Sequence, residues 1–173
     1  MLATSLLTLA LIGSPTVGHA APEGMVSAEE SAAAFAPYNE AMAIGQKTRA
    51  ADQLLTVIND ATSANHHGQA WVYMGDLLAS FDMSFSALIA YNNAILANPE
   101  VAAPSIKTAI AIAEALGDEA LLAPALAANV GLDVDNDTRS RMAYLAAREN
   151  FIQGNLGVAT AMLLMVDAKS TTF

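Results

Sequence analysis

The chain has no cysteine, which excludes disulfides, thiolate zinc sites and lipid attachment through a cysteine. Positive charge is nearly as scarce. Only 7 Lys and Arg stand against 17 Asp and Glu, for a formal net charge of −10. Binding phosphates needs a basic face and the release of counterions, so this balance argues against nucleic acid as a partner. It argues equally against docking on an anionic membrane surface. The few basic residues are unevenly placed, with Arg139, Arg141 and Arg148 together near the C-terminal end. An acidic peptide contact stays open there.

What the chain does have is apolar, small and helix-forming. Hydrophobic residues make up 54% of its 173 positions without counting glycine, above the ordinary ~45–50% that includes glycine. Much of the excess is alanine, which favours helix and lets helices pack closely. A chain of this length forms one domain and buries roughly two-thirds of its unfolded surface, enough for a sizeable core.

Leu6 to Ile12 (LLTLALI) form a short apolar core, followed by Gly13, Pro15 and the small-residue end Val17-Gly18-His19-Ala20. This pattern fits a secretory signal peptide over residues 1–20, cut after Ala20. A cut after Ala21 is disfavoured because Pro22 would follow it. No Lys or Arg precedes the apolar core. A buried N-terminal helix is the competing reading, whereas a membrane anchor would need a run of ~20 apolar residues. The expectation is a mature chain from about Ala21, not inserted in a membrane, and periplasmic or secreted.

Residues 21–26 (APEGMV) read as a linker. Ser27-Ala28-Glu29-Glu30 then offers a capping box, in which the Ser hydroxyl takes a free helix N–H while Glu30 reaches back. The pattern predicts a helix over 28–43 ending near Gly45, then one over 47–62 with Ala50, Leu54, Leu55, Val57 and Ile58 on its buried side. Residues 63–68 (SANHHG) are turn chemistry, leading to helices over about 69–80 and 84–97. A helix over 104–116 has Pro104 suited to its start and Gly117 to its end. Pro124 should kink or shorten the next helix. The last two helices are expected over 138–153 and 155–168, split by Gln153-Gly154-Asn155, with 170–173 as a tail.

The most specific pattern lies between Trp71 and Pro99: Trp71, Met74-Gly75, Leu78, Ala87, Tyr91 and Pro99. This spacing resembles the W-x₂-L-G-x₂-Y…A-x₃-F…P signature of the tetratricopeptide repeat family. Met stands for Leu, Leu for Tyr and Tyr for Phe. The resemblance implies an all-α fold, a right-handed α-α superhelix of about four helical hairpins over 27–169. It also implies binding in a preformed groove rather than chemistry. Ala50, Ala87, Ala120 and Ala159 would set the register, at separations of 37, 33 and 39 residues, near the ~34 of the repeat. Such an alanine lets paired helices approach, and a bulky replacement overpacks the contact. Twelve residues before Ala50, Ala87 and Ala159 stand Tyr38, Gly75 and Ala147; Tyr38 departs from the small residue expected. Trp71, Phe81, Phe85 and Tyr91 are core aromatics under the same signature.

Little in the sequence points to catalysis. Asp133-Val134-Asp135-Asn136-Asp137 opens like a calcium loop, but Thr138 stands where the glycine is needed and Tyr144 where a glutamate should close the site. A polar loop with Asp137 capping the next helix explains it better. His66-His67 are adjacent on a turn, a poor geometry for directing both rings at one ion. No nucleophile triad or phosphate-cradling glycine loop stands out. Glu29-Glu30 and Asp118-Glu119 begin helices, where negative charge meets the positive end of the dipole. The reading is a protein without cofactor or metal, and not an enzyme.

Following the groove geometry of the family, the resemblance points to the inner face of each first helix: Phe35, Asn39 and Met42, then Gln69, Val72 and Asp76, then Arg141, Tyr144 and Arg148. Some family members grip a terminal carboxylate with inward Lys, Asn and Arg; Val72 and Asp76 do not form that clamp. What remains is a mixed apolar groove with acid at its centre and arginine at one end, suited to a peptide with apolar anchors. The last helix reads L-G-V-A-T-A-M-L-L-M-V from Leu156 to Val166. Apolar residues all round mark a helix that is covered, whereas repeat arrays normally end on a polar face. Its expected cover is a second copy of the chain, a partner, or the N-terminal segment. The functional expectation is an exported protein-interaction module that holds a peptide or protein partner. The competing classes are a structural envelope subunit assembling through residues 155–168, and a ligand-binding protein or enzyme on a helical scaffold.

Overall fold

A computed structural model describes residues 27–170. The expected leader, the linker 21–26 and positions 171–173 lie outside that range. Among the described residues the chain is all-α, with nine α-helices and two short 3₁₀ segments. None of these helices is long and apolar enough to cross a membrane.

α1 (Ala28–Ala34) starts on the expected capping box: the Ser27 hydroxyl accepts the Glu30 N–H at 3.1 Å, and the Glu30 carboxylate accepts the Ser27 N–H at 3.0 Å. The helix expected over 28–43 is nevertheless broken. It stops at Phe35 (φ −100°, ψ 5°) and resumes as α2 (Ala36–Ala43). Pro37 is the cause, since it has no N–H to continue the ladder and its ring crowds the carbonyl four residues back. The break turns Phe35 into the core, where only 2% of its surface is exposed. α3 (Lys47–Asn59) ends three residues earlier than 62, because Asp60 caps a 3₁₀ segment, Ala61–His66, by accepting the Thr62 N–H at 2.9 Å.

α4 (His67–Ala79) and α5 (Ser84–Ala97) occupy the two spans predicted most specifically. α6 runs from Pro99 to Leu116, not from 104. Asn98 caps it by accepting the Val101 N–H at 3.2 Å, and Pro99 takes the first position, where a missing N–H costs nothing. Pro104 is consequently inside the helix. Gly117 ends α6 with φ +69°, a left-handed conformation that glycine adopts without a Cβ penalty. Pro124 leaves only a six-residue α7 (Ala123–Ala128). α8 (Asn136–Ile152) and α9 (Leu156–Leu163) close the chain. The cap of α8 is Asp135 rather than Asp137, its carboxylate accepting both the N–H (2.9 Å) and the hydroxyl (2.6 Å) of Thr138.

Packing follows chain order. α2 to α6 lie one against another in chain order, as do α7 to α9; α4 also touches α6, α5 touches α7 and α6 touches α8. Two apolar clusters result. One gathers Phe35, Tyr38, Ala50, Leu54, Met74 and Leu77; the other gathers Leu88, Tyr91, Ile106, Ile110, Leu126 and Met142. Trp71 and Leu78 pack against both. Tyr38, out of pattern as a register residue, is a core residue here. Ala50, Ala87 and Ala159 are buried as the register requires, but Ala120 is exposed on a 3₁₀ segment, Glu119–Leu121. The buried alanine of that hairpin is Ala123, at 2% exposure. Phe81 and Phe85 are exposed, at 45% and 52%, rather than core. They flank the turn into α5, outside the helix-to-helix contact.

Gly75 marks a close helix approach. A Cβ built there would lie 2.6 Å from the ring of Tyr91. Overpacking of this kind costs about 1–3 kcal/mol, against a helix-propensity gain of at most ~1 kcal/mol for replacing glycine. Gly75→Ala is expected to destabilise the fold by roughly 1–2 kcal/mol. Gly157, with open space around it, provides the contrast: Gly157→Ala should be neutral or stabilise by up to ~1 kcal/mol. Urea unfolding of the two variants checks both signs.

Candidate partner-binding face

The face expected to bind a partner is divided by the structure into buried, exposed and ion-paired residues. Phe35 and Val72 do not line a surface. Phe35 packs edge-on against Tyr73 (5.1 Å between ring centres) and His66 (5.8 Å). Val72 is buried where α4 meets α5 and α6. Both are apolar, and closing the helix contacts removes them from water. Asn39, Asp76, Tyr144 and Arg148 are exposed, while Met42, Gln69 and Arg141 are half-buried.

Asp76 is the best-held polar group of the set. It follows Gly75 on α4, and its Oδ1 accepts the hydroxyl of Tyr91 from α5 at 2.6 Å. The length suits a charge-assisted O–H···O⁻ bond. Burial pushes the Tyr91 phenol well above its ordinary range, and the hydrogen bond to Asp76 and that group's charge push it further. Tyr38 is shifted the same way, first by burial, then by the charge of Asp76 and by Tyr73. Tyr38 and Tyr73 stack with ring centres 5.0 Å apart and planes 12° from parallel. An exposed carboxylate is thus set beside three tyrosines contributed by α2, α4 and α5. Gln69 lies on the same helix, about two turns before Asp76.

The arginine end is arranged differently from expectation. Arg141 of α8 is paired with Glu114 of α6. Arg148, also on α8, holds Glu119 at 3.1 Å. The guanidinium beside Glu119 lowers that carboxyl below its usual range, and Arg148 is raised in turn. Tyr144 stands near Arg148 with 39% of its surface exposed. Arg139 is used internally as well, donating to the carbonyls of Leu132 and Val134, both at 3.2 Å. These three arginines fasten α8 to what precedes it. Partners so far apart in sequence carry no local signal, which is why the sequence reading assigned the arginines to a partner.

Two side-chain roles escaped the sequence altogether. Lys47 donates to the Ser80 hydroxyl at 3.0 Å and sits 5.0 Å over the Phe81 ring, a cation–π contact that shields an exposed aromatic. His67 lies 3.0 Å from the Asp60 carbonyl through Nε2 and so holds the turn into α4. His66 and His67 do not converge on a common point, since one faces an aromatic ring and the other a backbone carbonyl. Among the described residues no group of three or more His, Asp or Glu is placed to hold a metal ion.

The raised Tyr91 phenol fixes a sign for pH dependence. The unfolded chain releases this proton first, so the stabilisation is intact below about pH 10 and declines as pH rises above it. Tyr91→Phe should cost about 1 kcal/mol at neutral pH. It should also flatten the loss of stability between about pH 10 and 12, measured by denaturant unfolding across that range. A slope identical to that of the parent chain would mean the hydroxyl is not held as described. No known family, curated protein or solved structure matches the chain.

Proposed function

We propose that this chain is a tetratricopeptide-like interaction module, its hairpins stacked in one direction and its first helices α2, α4, α6 and α8 lining a groove. The chain-order packing of α2 to α6 and of α7 to α9 supports this arrangement, as does the signature from Trp71 to Pro99. The apolar leader ending at Ala20 supports export. The module binds an extended peptide or a protein segment and performs no chemistry on it.

One observation supports a particular class of partner. Asp76 stays exposed while Tyr91 orients it, whereas Arg141 and Arg148 are neutralised by Glu114 and Glu119. The groove therefore presents acid without a competing free cation among these residues. A chain of net charge −10 adds a long-range attraction for basic partners and repels acidic ones. The partner is thus a segment with a Lys or Arg flanked by apolar or aromatic anchors. Its cation meets Asp76 and its apolar groups lie along α2 and α4. Asn39, which is exposed, and Gln69, which is half-buried, would supply hydrogen bonds to its backbone under this reading.

Selection of the purified chain against a displayed library of random extended peptides tests this reading. Enriched peptides should carry a basic residue between apolar ones, and their affinity should fall as salt rises. Asp76→Asn keeps an acceptor for Tyr91 and removes the charge; it should weaken those peptides about tenfold, or ~1.4 kcal/mol, with helicity unchanged. Enrichment of acidic peptides, or binders indifferent to Asp76→Asn, would overturn the assignment.

A further inference from the structure

The end of the chain presents an apolar surface that nothing in the described residues covers. α9 is shorter than the helix expected over 155–168, and Ala159 is its single buried residue. Leu164, just beyond it, is 83% exposed. Phe151 and Ile152 at the end of α8 are also exposed, as are Leu156, Leu163 and Met165.

Comparison with α5 shows which side is uncovered. Ala87 is the fourth residue of α5 and Ala159 the fourth of α9, and both are buried. In α5 the residues one and four positions later, Leu88 and Tyr91, are buried in the cluster shared with α6. In α9 the same positions are Thr160 and Leu163, and both are exposed. The flank on which a following hairpin packs at α5 is thus open at α9. Covering such flanks is what stabilises a stack of helical pairs, each of which cannot bury its face alone.

We infer that a second copy of this chain covers the flank, joined through α9 and the end of α8 about a two-fold axis. Charge selects this occupant. From Phe151 to Val166 there is no Asp, Glu, Lys or Arg, in a chain whose other surfaces carry a net charge of −10. Two acidic copies repel each other elsewhere and meet here without a like charge between them. Area agrees. Phe151, Ile152, Leu156, Leu163, Leu164 and Met165 together expose on the order of 800 Å², about what each partner contributes to a standard-size interface. Apolar patches of this extent are rare on monomers, and a two-fold contact lets one patch cover its own copy. The inference concerns α9 and the C-terminal end of α8, away from α4 that carries Asp76, and does not rest on the binding of a partner at Asp76.

Light scattering coupled to size exclusion, on the full chain over a range of micromolar concentrations, should give a mass of two chains. Leu163→Glu combined with Leu164→Glu should raise the dissociation constant at least tenfold without loss of helicity, since both side chains are exposed. A monomer throughout would overturn the inference, as would a dimer indifferent to the glutamates or a mass that grows without limit. Because the chain lacks cysteine, one introduced thiol gives a second readout independent of those variants. Leu164→Cys should yield a covalent dimer with a bifunctional maleimide, whereas Ile44→Cys, exposed between α2 and α3, should not. The reverse pattern would place the contact elsewhere and overturn it. Protection of α9 from hydrogen exchange in a monomeric chain would show a cover supplied by the same copy, and would overturn it equally.

Discussion

The ring of Tyr91 lies directly over Gly75, so close that a single added carbon would stand 2.6 Å from it. That contact sets the distance between α4 and α5, and through it the join between the two apolar clusters. Tyr91 belongs to the cluster built with α6, while Met74 and Leu77 on either side of Gly75 belong to the one built with α2 and α3. Trp71 and Leu78 bridge both from the same helix. The phenol then reaches past Gly75 to the next residue, Asp76. One side chain therefore does two things: its ring closes the core and its hydroxyl aims a surface carboxylate. Binding groups held by core residues are precise because the packing that fixes them is dense and resists small displacements.

Electrostatics complements that arrangement by occupying three of the scarce cations within the fold. Arg139 satisfies two loop carbonyls, and Arg141 and Arg148 each neutralise an acid on an earlier element. Exposed pairs of this kind contribute at most about 1 kcal/mol each. Their larger effect is on the field: Arg141 and Arg148 are each offset by a carboxylate, and no charged residue lies between Phe151 and Val166.

Much of the helical framework could be read from the sequence, and the failures have definite causes. The spans of α4 and α5 were legible because local signals agreed: turn residues before them, apolar periodicity within them and the repeat spacing across them. The capping box at Ser27 was legible because all its parts lie within four residues. Prolines were harder, because Pro37, Pro104 and Pro124 each suit a helix start in isolation. Pro124 behaved as local rules require, but Pro104 was carried into the interior of α6 once Asn98 supplied an earlier cap. Register failed at Ala120 for a similar reason. The 3₁₀ segment there postpones the helix, so Ala123 takes the buried place. In the candidate site, the repeat resemblance pointed to Asp76, and Asp76 is exposed. Its bond to Tyr91, the burial of Phe35 and the pairing of Arg141 and Arg148 depend on which helices meet, and that information is not local.

Asp76 and the α9 surface belong to different helices, and under the two proposals their separation would have a consequence for binding strength. Asp76 is on α4, with α5 to α8 between it and α9 in the order of packing. Pairing of two copies through α9 would therefore leave both Asp76 faces open and fix them at a constant distance. A partner with two basic segments, or an array of such segments on an assembled surface, would then meet two sites at once. The second contact becomes intramolecular, which multiplies affinity by the effective concentration that the spacing allows. Under the proposed function, a single site centred on one exposed carboxylate would be weak by itself, because solvent screens the charge. Doubling the groove is a physical route by which weak sites of this kind hold a repeated partner.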